Sequence, residues 1–131
     1  MSIRKRLIKR LDKVFSEYIR RRKSKNDISE CYTCGKKDYW KNLQCGHFQS
    51  RRHLSTRWDE TNCQVQCAGC NVFRYGEQFR FGSRLVEEYG SNIALELEQK
   101  ARIPSKFSNK DLEDKIEYYK DLIKSFDKSK K

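Results

Sequence analysis

Four of the six cysteines stand in two short knuckles, Cys31-Tyr-Thr-Cys34 and Cys67-Ala-Gly-Cys70, separated by 32 residues. A two-residue gap lets both thiolates of a knuckle meet one ion, and two knuckles complete a tetrahedral four-thiolate zinc site. Cys31, Cys34, Cys67 and Cys70 are therefore the expected ligands of Zn2+. Gly35 directly after the first knuckle suits the tight turn such a loop needs. A redox C-x-x-C is the competing reading, but two paired motifs in a small basic chain favour zinc. Four thiolates leave no open position for water, so this ion is structural. The chain needs such a staple: at 131 residues, 36% hydrophobic and a mean hydropathy of -1.02, it can build only a thin core. Cys45 and Cys63 are left over. One could displace a knuckle cysteine, or both could bind a second ion with His47; the expectation is that they pack as small, half-buried hydrophobic groups.

The length sets one domain, residues 1–131. No window approaches the ~18 apolar residues of a membrane span. Met1 to Arg10 are basic without the apolar stretch of a secretory signal, so a cytoplasmic, reducing setting is expected, in which thiols stay free for metal. The net charge of +12 points to a polyanionic partner, with nucleic acid first. Most of that excess lies in residues 1–25, which carry 11 Lys/Arg against 2 Asp/Glu. Leu7, Leu11, Val14, Phe15 and Tyr18, with Ile3 in phase, recur at helical steps and define an apolar face. The opposite face carries Arg6, Lys9, Arg10, Lys13 and Arg20. A packed helix with a basic outer face suits phosphate contact, whereas a merely solvated face is the plain alternative.

Residues 24–30 read as a polar loop and residues 31–75 as the cysteine-bounded core. Phe79, Phe81, Leu85, Val86 and Tyr89 predict a short helix stopped by Gly90, and Ser91 a cap for a helix over Ile93 to Ala101 that ends before Pro104. Ser108 with Asp111 resembles a capping box opening a last helix, with Leu112, Ile116, Tyr119, Ile123 and Phe126 on one face. The helical C-terminal part covers 76–127, and 128–131 is read as a frayed tail. Between the knuckles lie both histidines, His47 and His53, in what looks like a strand end running into a basic loop with Arg51, Arg52 and Arg57. Guanidinium forks match phosphate oxygens, so these arginines are candidates for phosphate positioning.

Two knuckles bracketing a histidine, with Asn71 directly after the last cysteine, resemble the zinc-stapled HNH (ββα-metal) endonucleases. More closely, the chain resembles the lambda-type phage NinG family, also called Rap, described as recombination nucleases acting on branched DNA. The resemblance rests on Cys31-x-x-Cys-Gly, Gly46-His-Phe, Arg57-Trp-Asp-Glu-Thr-Asn62, Cys67-x-x-Cys-Asn71 and Tyr89-Gly90. It implies an α+β fold in which a small zinc-stapled ββα-metal core is flanked by N- and C-terminal amphipathic helices. It also implies three roles: His47 as general base, Asn62 as the residue orienting it, and Asn71 as an oxygen ligand of a catalytic Mg2+ or Mn2+. Many HNH enzymes carry an aspartate before the histidine; here that position is Gly46, so Asp59, Glu60 and Glu77 are the candidates to supply a carboxylate from elsewhere, with Asp59 carried as the ligand. Alternatively His47 itself ligates the ion, and His53 is a candidate for either task.

The resulting expectation is a metal-dependent, structure-specific DNA endonuclease acting on branched recombination intermediates, homodimeric and not membrane-bound. A non-catalytic zinc-knuckle nucleic-acid binder is the rival, and a thiol-based redox or zinc-sensing switch the third reading.

Overall fold

The computed structural model describes residues 1–128; of the expected C-terminal tail, residues 129–131 lie outside them. The first helix, α1 (Ile3–Arg21), begins where the Ser2 hydroxyl accepts the Lys5 N–H at 3.1 Å. Its buried stripe is Leu7, Leu11, Phe15 and Ile19, at three- to four-residue steps. Ile3, expected in that stripe, is the first residue of α1 and is 67% exposed.

The segment read as a polar loop instead turns at Asn26 and Asp27, both with positive φ, into β1 (Ile28–Glu30). β1 pairs antiparallel with β2 (Lys37–Tyr39), Ser29 lying opposite Asp38. A single turn of 3-10 helix, Trp40–Asn42, leads into β3 (Gln44–His47). A loop with a short helix, α2 (Leu54–Arg57), returns the chain to β4 (Cys63–Gln66). β3 and β4 form a second antiparallel pair, with Gln44 opposite Gln66 and His47 opposite Cys63. A π-helical turn, Gly69–Phe73, carries the second knuckle toward α3 (Gln78–Tyr89), which stops at Gly90 with φ +108°.

The fourth helix, α4 (Ile93–Arg102), matches its expected span, but Asn92 rather than Ser91 occupies the cap position, without a side-chain cap bond. α5 (Asn109–Lys128) opens with the expected reciprocal box. The Asp111 N–H donates to Ser108 Oγ at 3.0 Å, and the Ser108 N–H to Asp111 Oδ2 at 2.9 Å.

α1 and α5 lie side by side and parallel. Arg4 near the start of α1 donates to the Phe107 carbonyl just before α5, and Arg21 at its end pairs with Asp127 near the end of α5. Between them Phe15 meets Tyr119 edge to face, ring centres 4.9 Å apart. Leu7, Leu11, Ile19, Leu112 and Ile116 complete this core, and Trp58 and Cys63 join it from the inter-strand loop and β4. The helix pair thus packs directly on the β3–β4 layer. A second cluster of Cys31, Leu43, Val65, Cys67 and Cys70 surrounds the knuckles, and a third of Tyr32, Phe81, Leu85 and Leu97 holds α3 and α4. The described residues form a mixed α+β protein with two small sheets.

Candidate metal centre and histidine cleft

The first knuckle follows β1. The Cys31 N–H donates to the Lys36 carbonyl at 2.8 Å and the Gly35 N–H to the Cys31 carbonyl at 3.0 Å, a loop closed by Gly35 at φ +80°. The second knuckle follows β4, where the Cys70 N–H points at Cys67 Sγ from 3.4 Å. The β1 and β4 ends meet, the Tyr32 N–H donating to the Val65 carbonyl at 2.8 Å. All four thiols then gather within 4.8 Å of one another. Cys34 Sγ and Cys67 Sγ are 3.7 Å apart, close to the edge of about 3.8 Å that a tetrahedron with Zn–S bonds of about 2.3 Å requires.

The surroundings favour thiolates. Arg74 donates to Cys70 Sγ at 3.1 Å. Burial pushes the Cys31 thiol up, but backbone hydrogen bonds from the knuckles and the Thr33 hydroxyl outweigh it and bring Cys31 down to about 6. Cys34, by burial and by sharing protons with its three neighbours, is pushed up to about 12. Four adjacent thiols cannot all ionise without a cation among them, so this frame fits a structural zinc ion.

His47 ends β3. Its Nε2 lies 2.9 Å from the Arg57 carbonyl. A carbonyl only accepts, so Nε2 carries the proton and Nδ1 of the neutral ring keeps its lone pair. Burial lowers the His47 pKa, and the Arg51 and Arg57 charges add to this, against the opposing Arg57 carbonyl and Asp12. The imidazole is therefore neutral at neutral pH.

It lines a cleft of about 460 Å³ whose other wall is α1, through Lys9, Asp12, Lys13, Ser16 and Arg20; Leu43, Gln44, Cys45 and Arg51 complete it. Of the arginines and lysines expected to touch nucleic acid, Lys9, Lys13 and Arg51 thus surround His47. Arg10 lies instead in a groove between α1 and α5, and Arg6 and Arg52 are exposed but do not line the cleft. Arg57 is committed to Asp12, with Nη2 at 2.5 Å and Nε at 2.9 Å.

Asp12 is the residue that the sequence reading missed. It also accepts from Trp58 Nε1 at 2.9 Å and Arg51 at 3.0 Å, so α1 fixes the segment whose carbonyl holds His47. The available signal was a lone acid in a basic helix face, among Lys9, Arg10 and Lys13.

Asn62 is fully buried and holds the loop rather than the ring. Its Oδ1 accepts the Gln49 N–H at 2.7 Å, and its Nδ2 donates to the carbonyls of Gln49 and Thr56. Asn71 Nδ2 donates at 2.8 Å to Gln44 Oε1, so this residue borders the cleft through Gln44. Asp59, the expected carboxylate ligand, is placed elsewhere. Its Oδ1 accepts the N–H groups of Thr61 and Asn62, and its Oδ2 the Lys100 ammonium. Glu60 accepts from Tyr18 and Tyr119 between the long helices, and Glu77 pairs with Arg74. His53 precedes α2 and belongs to neither metal-competent group among the described residues.

Gly46 has a structural cause. A Cβ there would run into the Gln66 side chain, meeting its Cδ at 2.6 Å. Gln66 is fully buried and donates to Thr33 Oγ1 at 3.0 Å and the Gly76 carbonyl at 2.9 Å, tying the two knuckles together. Cys45 and Cys63 pack as expected, Cys63 inside the α1–α5 core and Cys45 partly buried against it, and with His47 they also form a second group of ligand atoms within 4.8 Å of one another.

Fold and site together define a small basic α+β protein in which a four-cysteine frame able to hold zinc supports a histidine cleft walled by a basic helix. The chain belongs to the bacteriophage lambda NinG protein family, whose model matches residues 1–129. No curated protein and no solved structure matches the chain. No helix among the described residues is long and apolar enough to cross a membrane.

Proposed function

We propose that this NinG-family protein is a metal-dependent endonuclease of HNH type, with a ββα-metal core built on the zinc frame, acting on branched DNA recombination intermediates. The observation that carries the proposal is the 2.9 Å contact of His47 Nε2 with the Arg57 carbonyl, which assigns the proton to Nε2 and leaves Nδ1 its lone pair, in a residue that lines a basic cleft. In this reading Nδ1 takes a proton from a water molecule, whose oxygen bonds phosphorus as the P–O3′ bond breaks, leaving a 5′ phosphate. Lys9, Lys13 and Arg51 hold the phosphate backbone, and Asn62 keeps the loop after β3 in place. Mg2+ or Mn2+, when bound, supplies positive charge to the phosphate and leaving oxygen, with the Asn71 amide oxygen as the chain's own donor. Branched substrates come from the family resemblance, and two opposed strands call for two active sites, hence a homodimer in the host cytoplasm.

One observation favours the rival reading, a zinc-knuckle nucleic-acid binder without chemistry. Gln66 excludes a carboxylate at position 46, and Asp59, Glu60 and Glu77 are all engaged elsewhere. A metal titration separates the two. End-labelled four-way junction and matched duplex are incubated with Mg2+, Mn2+ or EDTA. Cutting of the junction that requires added Mg2+ or Mn2+ supports the nuclease; salt-sensitive binding with no cutting under any ion supports the binder.

A further inference from the structure

We propose that Cys45, His47 and Cys63 form a second metal site, for a thiophilic divalent ion such as Zn2+, whose occupation removes His47 from catalysis. Antiparallel pairing sets His47 directly opposite Cys63, and Cys45, two residues earlier on β3, projects from the same face as His47. The two sulfurs and a ring nitrogen lie within 4.8 Å of one another and share no residue with the four-cysteine frame. Edges of about 3.3 to 3.8 Å suit a tetrahedral zinc ion, so small side-chain adjustments close the site.

The donor set decides the ligand. Two thiolates and an imidazole select zinc over Mg2+, which prefers oxygen. The histidine already has the outer partner that metal-bound imidazoles use, a carbonyl accepting its other N–H: Nε2 is committed to Arg57, and Nδ1 is the nitrogen with a lone pair to give. The same Arg57 carbonyl accepts the Cys63 S–H at 3.4 Å, a proton released with that of Cys45 when the ion binds. Cys63 is the buried floor, while Cys45 and His47 line the cleft walled by α1, so an ion held by the three would be reached from that cleft. Three protein ligands leave one position for water or a substrate oxygen, unlike the closed four-thiolate frame.

The site itself is independent of the nuclease reading; its effect on cutting rests on that reading. The ion takes the Nδ1 lone pair that the proposed base uses, so zinc beyond the first equivalent inhibits Mg2+-dependent cleavage.

The test loads the full chain, under reducing conditions, with Co2+ and counts bound metal while recording thiolate-to-cobalt absorption. The expected result is two ions per chain. Cys45→Ser and His47→Ala should each hold one ion, with Cys45→Ser keeping the four-thiolate spectrum. His47→Ala secures the test should Cys45→Ser fold poorly. One ion per wild-type chain, or a second ion retained in both variants, would overturn the site. Cleavage by wild-type protein is then read against added Zn2+. At least a tenfold loss between one and two equivalents, absent in Cys45→Ser, is expected, and cutting indifferent to the second zinc would overturn the inhibitory role.

Discussion

Gly46→Ala isolates one steric contact. The added Cβ meets the Gln66 side chain, with Cδ 2.6 Å away, while Gly46 lies in regular strand pairing opposite Gln64, so its backbone conformation is open to alanine. Gln66 is fully buried and cannot move toward water; it must give up its bonds to Thr33 Oγ1 and the Gly76 carbonyl. Each bond lost with a buried partner left unpaired costs about 1–3 kcal/mol. Two such bonds give a destabilisation of about 2–6 kcal/mol, a large part of the roughly 5–15 kcal/mol typical of a domain. The assay is urea unfolding of zinc-loaded protein. Gln66→Ala removes the obstacle, so in that background Gly46→Ala should cost under about 0.5 kcal/mol, and the double-mutant cycle should return a coupling of about 2 kcal/mol or more. A Gly46→Ala protein as stable as wild type, or equal costs in both backgrounds, would refute the packing explanation for the glycine.

Stripping the frame should be harsher. Cys70→Ser, or a strong chelator, should abolish the cooperative thermal transition of the core followed by circular dichroism, since four clustered thiols supply little cohesion without an ion. Burial lowers the His47 pKa, so the neutral base is present above a folded pKa that lies below 6.5. The cleavage rate should be flat through neutrality and fall tenfold per pH unit below that pKa. Stability has the same sign: the His47 contribution is complete above 6.5 and is lost as pH falls from there to the folded pKa, checked by urea midpoints. Lys9→Ala and Lys13→Ala line the cleft without supporting the core. Each should lower the salt dependence of DNA binding by about one unit of slope in fluorescence anisotropy.

What could be read in the sequence was what local chemistry encodes. The spacing of the knuckles alone marks the four cysteines that the fold gathers into a group able to hold a metal, and a 3.6-residue stripe marks the long helices, surviving as Leu7, Leu11, Phe15 and Leu112, Ile116, Tyr119. The Ser108–Asp111 box and Gly90 mark ends by bonds within one turn. β1 escaped because its three residues alternate exposed, buried, exposed around a serine, whose hydroxyl is satisfied by the Arg20 carbonyl at 2.5 Å. The sequence marks His47 by its place between the knuckles, but its environment comes from α1, 35 residues earlier at Asp12. No spacing rule encodes how two distant elements dock. For the same reason Asp59 looked available: only the fold brings Lys100 to it.

The proposed function depends most on His47 acting as the base of a DNA-cutting site. Single-turnover cleavage of a four-way junction in Mg2+, comparing wild type with His47→Ala at protein concentrations that saturate the DNA for both, tests it most directly. Equal junction binding and a loss of about 10²–10⁴-fold in the cleavage rate are expected for His47→Ala. A His47→Ala protein that cuts as fast as wild type would contradict it.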